Sequence, residues 1–104
     1  MTVYVTQELK GRDLSSALSF GELQVVVPAS MDVTNSNMND IIDLAWTVLD
    51  EFDCEKDYVL LSGDPVIIAT VCAIAAEAIS FNQHLRVLRW DRIDERYIQF
   101  DLNL

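Results

Sequence analysis

The residues best suited to chemistry are Ser62, Gly63 and Asp64, which lie between two apolar segments. The segment before them, Tyr58 to Leu61, has aromatic and β-branched residues and is typical of a strand buried on both faces. Gly63 permits a tight turn, Asp64 can accept a hydrogen bond from a free N–H at a helix start, and Pro65 suits the first helical position. Ligands of open α/β sheets bind at such strand ends, and a helix N-terminus attracts anions. These three residues are therefore a candidate site for the anionic group of a nucleotide-like ligand.

Arg89 or Arg92, in the basic C-terminal segment, would meet an anionic group of that ligand. The alternative is purely structural, because Asp64 places its own carboxylate where an anion would bind. No glycine-rich dinucleotide fingerprint, P-loop lysine or nucleophile elbow occurs in the chain. We therefore expect no catalytic residues and a protein that is not an enzyme.

The cysteines and the single histidine do not suggest a metal site. Cys54 and Cys72 do not form a CxxC pair, and His84 has no second ligand at metal spacing. A buried cysteine usually behaves as a small hydrophobic residue. We expect no disulfide, no metal and no cofactor.

The charge distribution suggests a different kind of site, a surface for a protein partner. The chain has 17 acidic and 7 basic residues and a formal net charge of -10, which disfavours a nucleic acid bound through its phosphates. Acidic residues are concentrated from Asp40 to Asp57, and four of the seven basic residues fall in the C-terminal segment, namely Arg86, Arg89, Arg92 and Arg96. An acidic face for a basic partner, or a mimic of nucleic acid, is one interpretation. A solvated face that keeps a small domain soluble is the other.

Residues 38–52 form the first predicted helix, because their apolar positions repeat at the spacing of one buried stripe. Acidic residues occupy the opposite side, and Trp46 lies off the stripe beside them. Its ring either covers the edge of the core or forms a contact surface. The candidate residues for a protein contact are Asp40, Asp43, Trp46, Asp50 and Glu51.

The second predicted helix, Pro65 to about Ile79, has almost no polar face and must be covered on most sides. Its alanines, among them Ala69 and Ala73, would let another helix approach closely. The helix is therefore the expected homo-oligomer surface, unless the first helix covers it.

Four further strands are predicted. They are Val3 to Glu8, Leu23 to Val27, Leu85 to Trp90 and Tyr97 to Leu104, the last two forming an antiparallel hairpin. In the last strand we expect Ile98, Phe100, Leu102 and Leu104 to face the core, and the side that carries Tyr97 to face water. This alternation is typical of an edge strand.

The predicted fold is a single small α/β domain over residues 1–104. Its element order is β-β-α-β-α-β-β, with a mixed sheet of about five strands, two main helices and the C-terminal hairpin. We expect the second, third and fourth strands to be parallel, residues 58–61 to be the middle strand, and both helices to lie on one face, leaving the other exposed or paired with a second copy. An order with the second strand central would place the helices on opposite faces. The longest apolar stretch is too short to cross a membrane.

Short segments spread along the whole chain carry a resemblance to known proteins. They are Val3-Tyr4-Val5-Thr6-Gln7-Glu8, Gly11-Arg12-Asp13, Phe20-Gly21-Glu22, a strand ending at Pro28, Asp57-Tyr58 to Gly63-Asp64-Pro65, Leu88-Arg89-Trp90-Asp91-Arg92 and Tyr97 to Leu102. Together they resemble small proteins encoded by tailed bacteriophages, notably of marine and cyanobacterial hosts. The resemblance implies expression in an infected bacterial cell, and it assigns no activity and no functional residues.

Three functions follow as hypotheses. The first is a non-enzymatic, homo-oligomeric phage protein that binds a host or viral protein in the host cytoplasm, for host takeover or defence evasion. The second is a structural component of the virion. The third is a module that binds or sequesters a nucleotide-like ligand at Ser62 to Asp64.

Overall fold

The computed structural model describes all residues from 1 to 104, and it contains five strands and two α-helices. In chain order they are β1 (Thr2–Gln7), β2 (Glu22–Val27), α1 (Met38–Val48), β3 (Tyr58–Leu60), α2 (Pro65–Ala76), β4 (Leu85–Asp91) and β5 (Arg96–Leu102). Two short 3-10 turns, Ser15–Ser19 and Leu49–Glu51, follow β1 and α1. The predicted element order and the C-terminal hairpin are confirmed.

The five strands form one mixed sheet in the order β2-β1-β3-β4-β5. The first four are parallel and β5 is antiparallel to β4. Strand β3 is the middle strand, as its continuous apolar character predicts. The sequence left the place of β1 open, and the structure puts it between β2 and β3, with Val3 opposite both Leu23 and Tyr58.

Both helices lie on the same face of the sheet, where they pack against each other and against the strands. Ile41 and Ala45 of α1 meet Ile67 and Val71 of α2 in one buried cluster that also contains Val59 of β3. The alternative order with the second strand central is wrong, because β2 is an edge strand. Helix α1 therefore covers part of the apolar surface of α2, although Val66, Ala69 and Ala73 stay exposed.

The opposite face of the sheet is covered by the protein's own β1–β2 connection. Ala17 of its 3-10 turn is fully buried against a second apolar cluster formed by Val3, Val5, Tyr58, Leu60, Leu88 and Tyr97. Phe20 packs edge to face on Tyr58, with 5.3 Å between ring centroids. In this chain a single turn and the loop around it take the place of a helix on that face.

The predicted orientation of β5 is wrong. Tyr97 is only 2% exposed and packs edge to face on Trp90, whereas Phe100 and Leu102 on the other side are 38% and 37% exposed. The 3-10 turn contacts β5 on the Tyr97 side, and α2 packs near β1 and does not cover the end of the sheet. The prediction that β5 is an edge strand is confirmed.

The helices are shorter than predicted. Helix α1 ends at Val48 and continues as the 3-10 turn to Glu51, and α2 ends at Ala76, three residues before Ile79. Neither is long and apolar enough to cross a membrane.

Candidate functional site

The predicted ligand turn, Ser62 to Asp64, lies at the carboxyl end of β3 beside the end of β1. Because β1 has β2 on one side and β3 on the other, this is the point where the sheet order changes direction, the usual ligand position in such sheets. Asp64 is the N-cap of α2, and its Oδ1 accepts a hydrogen bond of 2.8 Å from the backbone N–H of Val66. The helix start predicted from the sequence is therefore confirmed.

The side chains of Thr6 and Gln7 on β1 hold this turn. The Gln7 Oε1 accepts a hydrogen bond of 2.8 Å from the backbone N–H of Asp64, and its Nε2 donates to the carbonyl of Met31 at 3.1 Å. The Thr6 hydroxyl accepts from the backbone N–H of Ser62 at 2.8 Å and donates to the carbonyl of the same residue. Sequence analysis missed both residues, because their partners in the turn, Ser62 and Asp64, are more than 50 positions away in the chain.

Among the buried side-chain atoms of the turn, only the Ser62 Oγ has no hydrogen-bond partner. Ser62, Gly63 and Asp64 do not line any of five surface concavities with volumes of about 190 to 560 Å³. Ligand binding at this turn stays a prediction.

The two candidate arginines lie in one region, where both line a concavity of about 370 Å³. The guanidinium of Arg89 lies over the ring of Phe100, 4.9 Å from its centroid, at the edge of the sheet. Arg92 lines a concavity of about 300 Å³ together with Arg12, Asp13 and Trp90. Neither arginine forms an ion pair, because the single ion pair of the molecule joins Arg96 to Asp94 at 3.8 Å.

The five predicted contact residues are all exposed, three of them on α1 and two on the 3-10 turn that continues it. We name Asp40, Asp43, Trp46, Asp50 and Glu51 the acidic face. Positions three, four and seven apart in a helix share one side, so Asp43, Trp46 and Asp50 are neighbours. Ile41 and Ala45 occupy the buried side of the same helix.

Trp46 is the unusual member of the acidic face, because half of its surface, 50%, is exposed. It belongs to neither buried cluster and is not among the side chains packed against them. Both roles considered from the sequence, a cover for the edge of the core and a contact surface, stay predictions. The sequence alone left the choice open because Trp46 lies at the border of the apolar stripe.

The carboxylates of the acidic face form no ion pair with any cation of the molecule. Lys56 is the only basic residue between Met38 and Asp57. A concavity of about 380 Å³ adjoins the face, lined in part by Tyr4, Asp50 and Glu51. Burial raises the pKa of Tyr4, and the carboxylates of Asp57 and Glu51 raise it further, so its hydroxyl stays neutral.

The two cysteines have structural surroundings. Cys54 is buried, and its thiol lies 3.2 Å from the Oε1 of Gln83. Burial raises the pKa of both Cys54 and Cys72, which disfavours the reactive thiolate. No three His, Cys, Asp or Glu side chains come close enough together to hold a metal ion.

Comparison with known proteins gives one match. Neither the curated proteins nor the solved structures contain a match to the chain. A family model matches it from residue 1 to residue 104, which agrees with the resemblance to phage proteins drawn from segments along its whole length. This protein accordingly belongs to the family described as Phage Pam3 gp32-like protein.

Proposed function

We propose that this phage protein acts by binding and not by catalysis, and that its acidic face binds a basic surface of a host or viral protein in the infected cell. One observation carries the proposal. A half-exposed tryptophan stands among four carboxylates that have no cationic partner in the molecule.

The two components of the acidic face have complementary physical roles in binding. Tryptophan is among the residues that contribute most to protein interfaces, because its large ring loses much water-exposed apolar area on contact. Uncompensated carboxylates attract a basic partner over a distance of about 8 Å at physiological salt and orient its approach. Trp46 would therefore determine the lifetime of the complex, and Asp43 and Asp50 its rate of formation.

The electrostatic part is tested by charge reversal. Tagged protein captures its partner from host lysate, mass spectrometry identifies the partner, and calorimetry with the purified partner measures affinity. Asp43→Lys with Asp50→Lys is expected to weaken binding by at least about tenfold. The matched control is Glu8→Lys with Glu77→Lys, which changes the net charge equally at two exposed positions outside the face.

The apolar part is tested with Trp46→Ala, which is expected to weaken binding of the same partner by about thirtyfold, mainly through faster dissociation. Phe81→Ala is the control, because Phe81 is 93% exposed and lies outside the acidic face. Undiminished binding by both the charge-reversed protein and Trp46→Ala would remove the acidic face as the binding surface.

A virion role is the second candidate, and the exposed apolar side of β5 favours it. Phe100 and Leu102 leave more than a third of their surface in water, which suits packing into a repeating shell. Mass spectrometry of purified particles decides between the two, since a virion component is present at a fixed copy number. Its absence from particles contradicts the virion role and leaves the acidic face as the proposed site.

A further inference from the structure

The free edge of β5 offers backbone hydrogen-bonding groups to another strand. The backbone N–H of Leu61 donates to the carbonyl of Leu88, so the backbone groups of Leu88 point toward β3. Because these groups alternate along a strand, the backbone groups of Val87 and Arg89 point toward β5. Their partners, Phe100 and Ile98, therefore use their backbone groups inside the sheet. The backbone groups of Tyr97, Gln99 and Asp101 consequently point outward, away from β4.

The outward groups are open only over the second half of the strand. The backbone N–H of Tyr97 donates to the Oγ of Ser16 at 3.1 Å, so the 3-10 turn closes the start of this edge. The backbone N–H groups of Gln99 and Asp101 have no hydrogen-bond partner. The unpaired segment thus runs from Ile98 to Leu102.

This segment also has an exposed apolar side. Ile98, Phe100 and Leu102 lie on the helix-covered face of the sheet, beside Arg89, Val87 and Leu85. We name the three residues the β5 strip. Phe100 and Leu102 each leave more than a third of their surface in water.

Strand β5 has only part of the protection that is usual for an edge strand, namely the charged residues Arg96 and Asp101. The strand contains no proline and no lysine, and its seven residues pair with β4 in unbroken register without a bulge. A long, regular edge with an apolar side is a template for pairing with another strand.

The charge distribution identifies a second copy of this chain as the occupant. Residues 85–104 contain four arginines and the four acidic residues Asp91, Asp94, Glu95 and Asp101, so their formal charge is zero. The whole excess of ten negative charges therefore lies in residues 1–84. Two copies can meet at the β5 edge with little repulsion, whereas pairing at the opposite edge, β2, would bring together two acidic α1 helices, since α1 packs near β2.

We propose that two copies of this protein pair through β5 as an antiparallel, two-fold symmetric dimer centred on Phe100. In this register Phe100 lies opposite Phe100 of the second copy, and Ile98 lies opposite Leu102. Gln99 exchanges backbone hydrogen bonds with Asp101 of the second copy, which uses the groups that point outward. The two sheets become one sheet of ten strands, and the two acidic faces stand at its opposite ends.

The first test compares two substitutions of the same kind. Wild-type protein is expected to sediment with twice the 11.8 kDa mass of the chain over a rising concentration series. Phe100→Lys places a charge in the interface and is expected to raise the dissociation constant at least about tenfold. Phe81→Lys adds the same charge on an exposed loop and is expected to leave the dimer intact. Circular dichroism and thermal unfolding confirm that both variants are folded.

The second test fixes the register. Directly opposite residues of an antiparallel pair are close enough for a disulfide. Phe100→Cys is therefore expected to form a covalent dimer on mild oxidation, and Phe81→Cys is not. A wild-type monomer throughout the series, a Phe100→Lys dimer as tight as wild type, or open polymers would each overturn the proposal, as would equal crosslinking of the two cysteine variants.

Discussion

Gly63 shows how one residue sets the geometry of the turn between β3 and α2. Its φ of +92° lies in the left-handed region, and a Cβ added there would lie 2.3 Å from the Oε1 and 2.4 Å from the Cβ of Gln7. Glycine is required for the backbone conformation and also for the close approach of Gln7. The hydrogen bonds of Gln7 to Asp64 and Met31 depend on that approach.

We predict that Gly63→Ala lowers the free energy of unfolding by about 3 kcal/mol, because left-handed strain and overpacking add. Urea unfolding followed by circular dichroism measures the effect. Gly11→Ala is the matched control, since Gly11 also has a positive φ of +79° but nothing within 4 Å of an added Cβ. Gly11→Ala is expected to lower the free energy of unfolding by about 1 kcal/mol. Equal losses for the two variants would show that the contact with Gln7 contributes nothing.

At the scale of elements, the sequence predicted best where the determining contacts are local. The start of α2 follows from Gly63, Asp64 and Pro65, which act within a few residues of one another. The choice between Tyr97 and Phe100 as the buried side of β5 is different, because it depends on which element reaches the edge of the sheet. The alternation of residues along β5 showed that the strand has two different sides. Nothing within the strand indicates which of them the 3-10 turn covers.

For the candidate sites as well, the sequence predicted what depends on local spacing and missed what depends on distant strands. Residues of the acidic face lie within 12 consecutive positions of α1 and the 3-10 turn that continues it, so their common exposure was predicted from helical spacing. The partners of the ligand turn, Thr6 and Gln7, lie on a distant strand whose place in the sheet was open. The free edge of β5 was predicted as an edge, and its exposed apolar side was not.

We predict that Asp64→Ala lowers the free energy of unfolding by about 1 kcal/mol, because the hydrogen bond to the backbone N–H of Val66 is lost. Asp64→Asn keeps a hydrogen-bond acceptor and is expected to lower the free energy of unfolding by only a few tenths of a kcal/mol. Asp32→Ala, at an exposed position whose side chain accepts no hydrogen bond, serves as the control in the same urea titration. An unchanged free energy of unfolding in Asp64→Ala would mean that Pro65 alone suffices to begin α2.

At the scale of the whole molecule, the charges repel more than they attract. The net charge is -10, and only one ion pair, between the exposed Arg96 and Asp94, is formed. Exposed ion pairs contribute little to stability. Self-repulsion of the compact state is therefore the main electrostatic contribution that salt can screen.

We predict that raising NaCl from about 0.01 M to about 0.15 M increases the free energy of unfolding by about 1 kcal/mol, seen as a rise in Tm of about 4 °C. Scanning calorimetry measures it. The variant Asp43→Lys with Asp50→Lys has a smaller net charge and is expected to show a smaller rise. A Tm that stays constant or falls with salt would indicate that attractive charge pairs dominate.

The position of β1 inside the sheet has a consequence for how the chain folds during synthesis. The backbone N–H of Thr2 donates to the carboxylate of Asp57, 55 residues later, and β1 has β3 as its inner neighbour. Strand β1 leaves the ribosome before β3 and must therefore wait for β3 before its second side is paired, and contacts of such long range slow folding. Strand β5 is made after the other four strands and joins at the edge of the sheet, so the surface proposed for self-association is absent until β5 has been made.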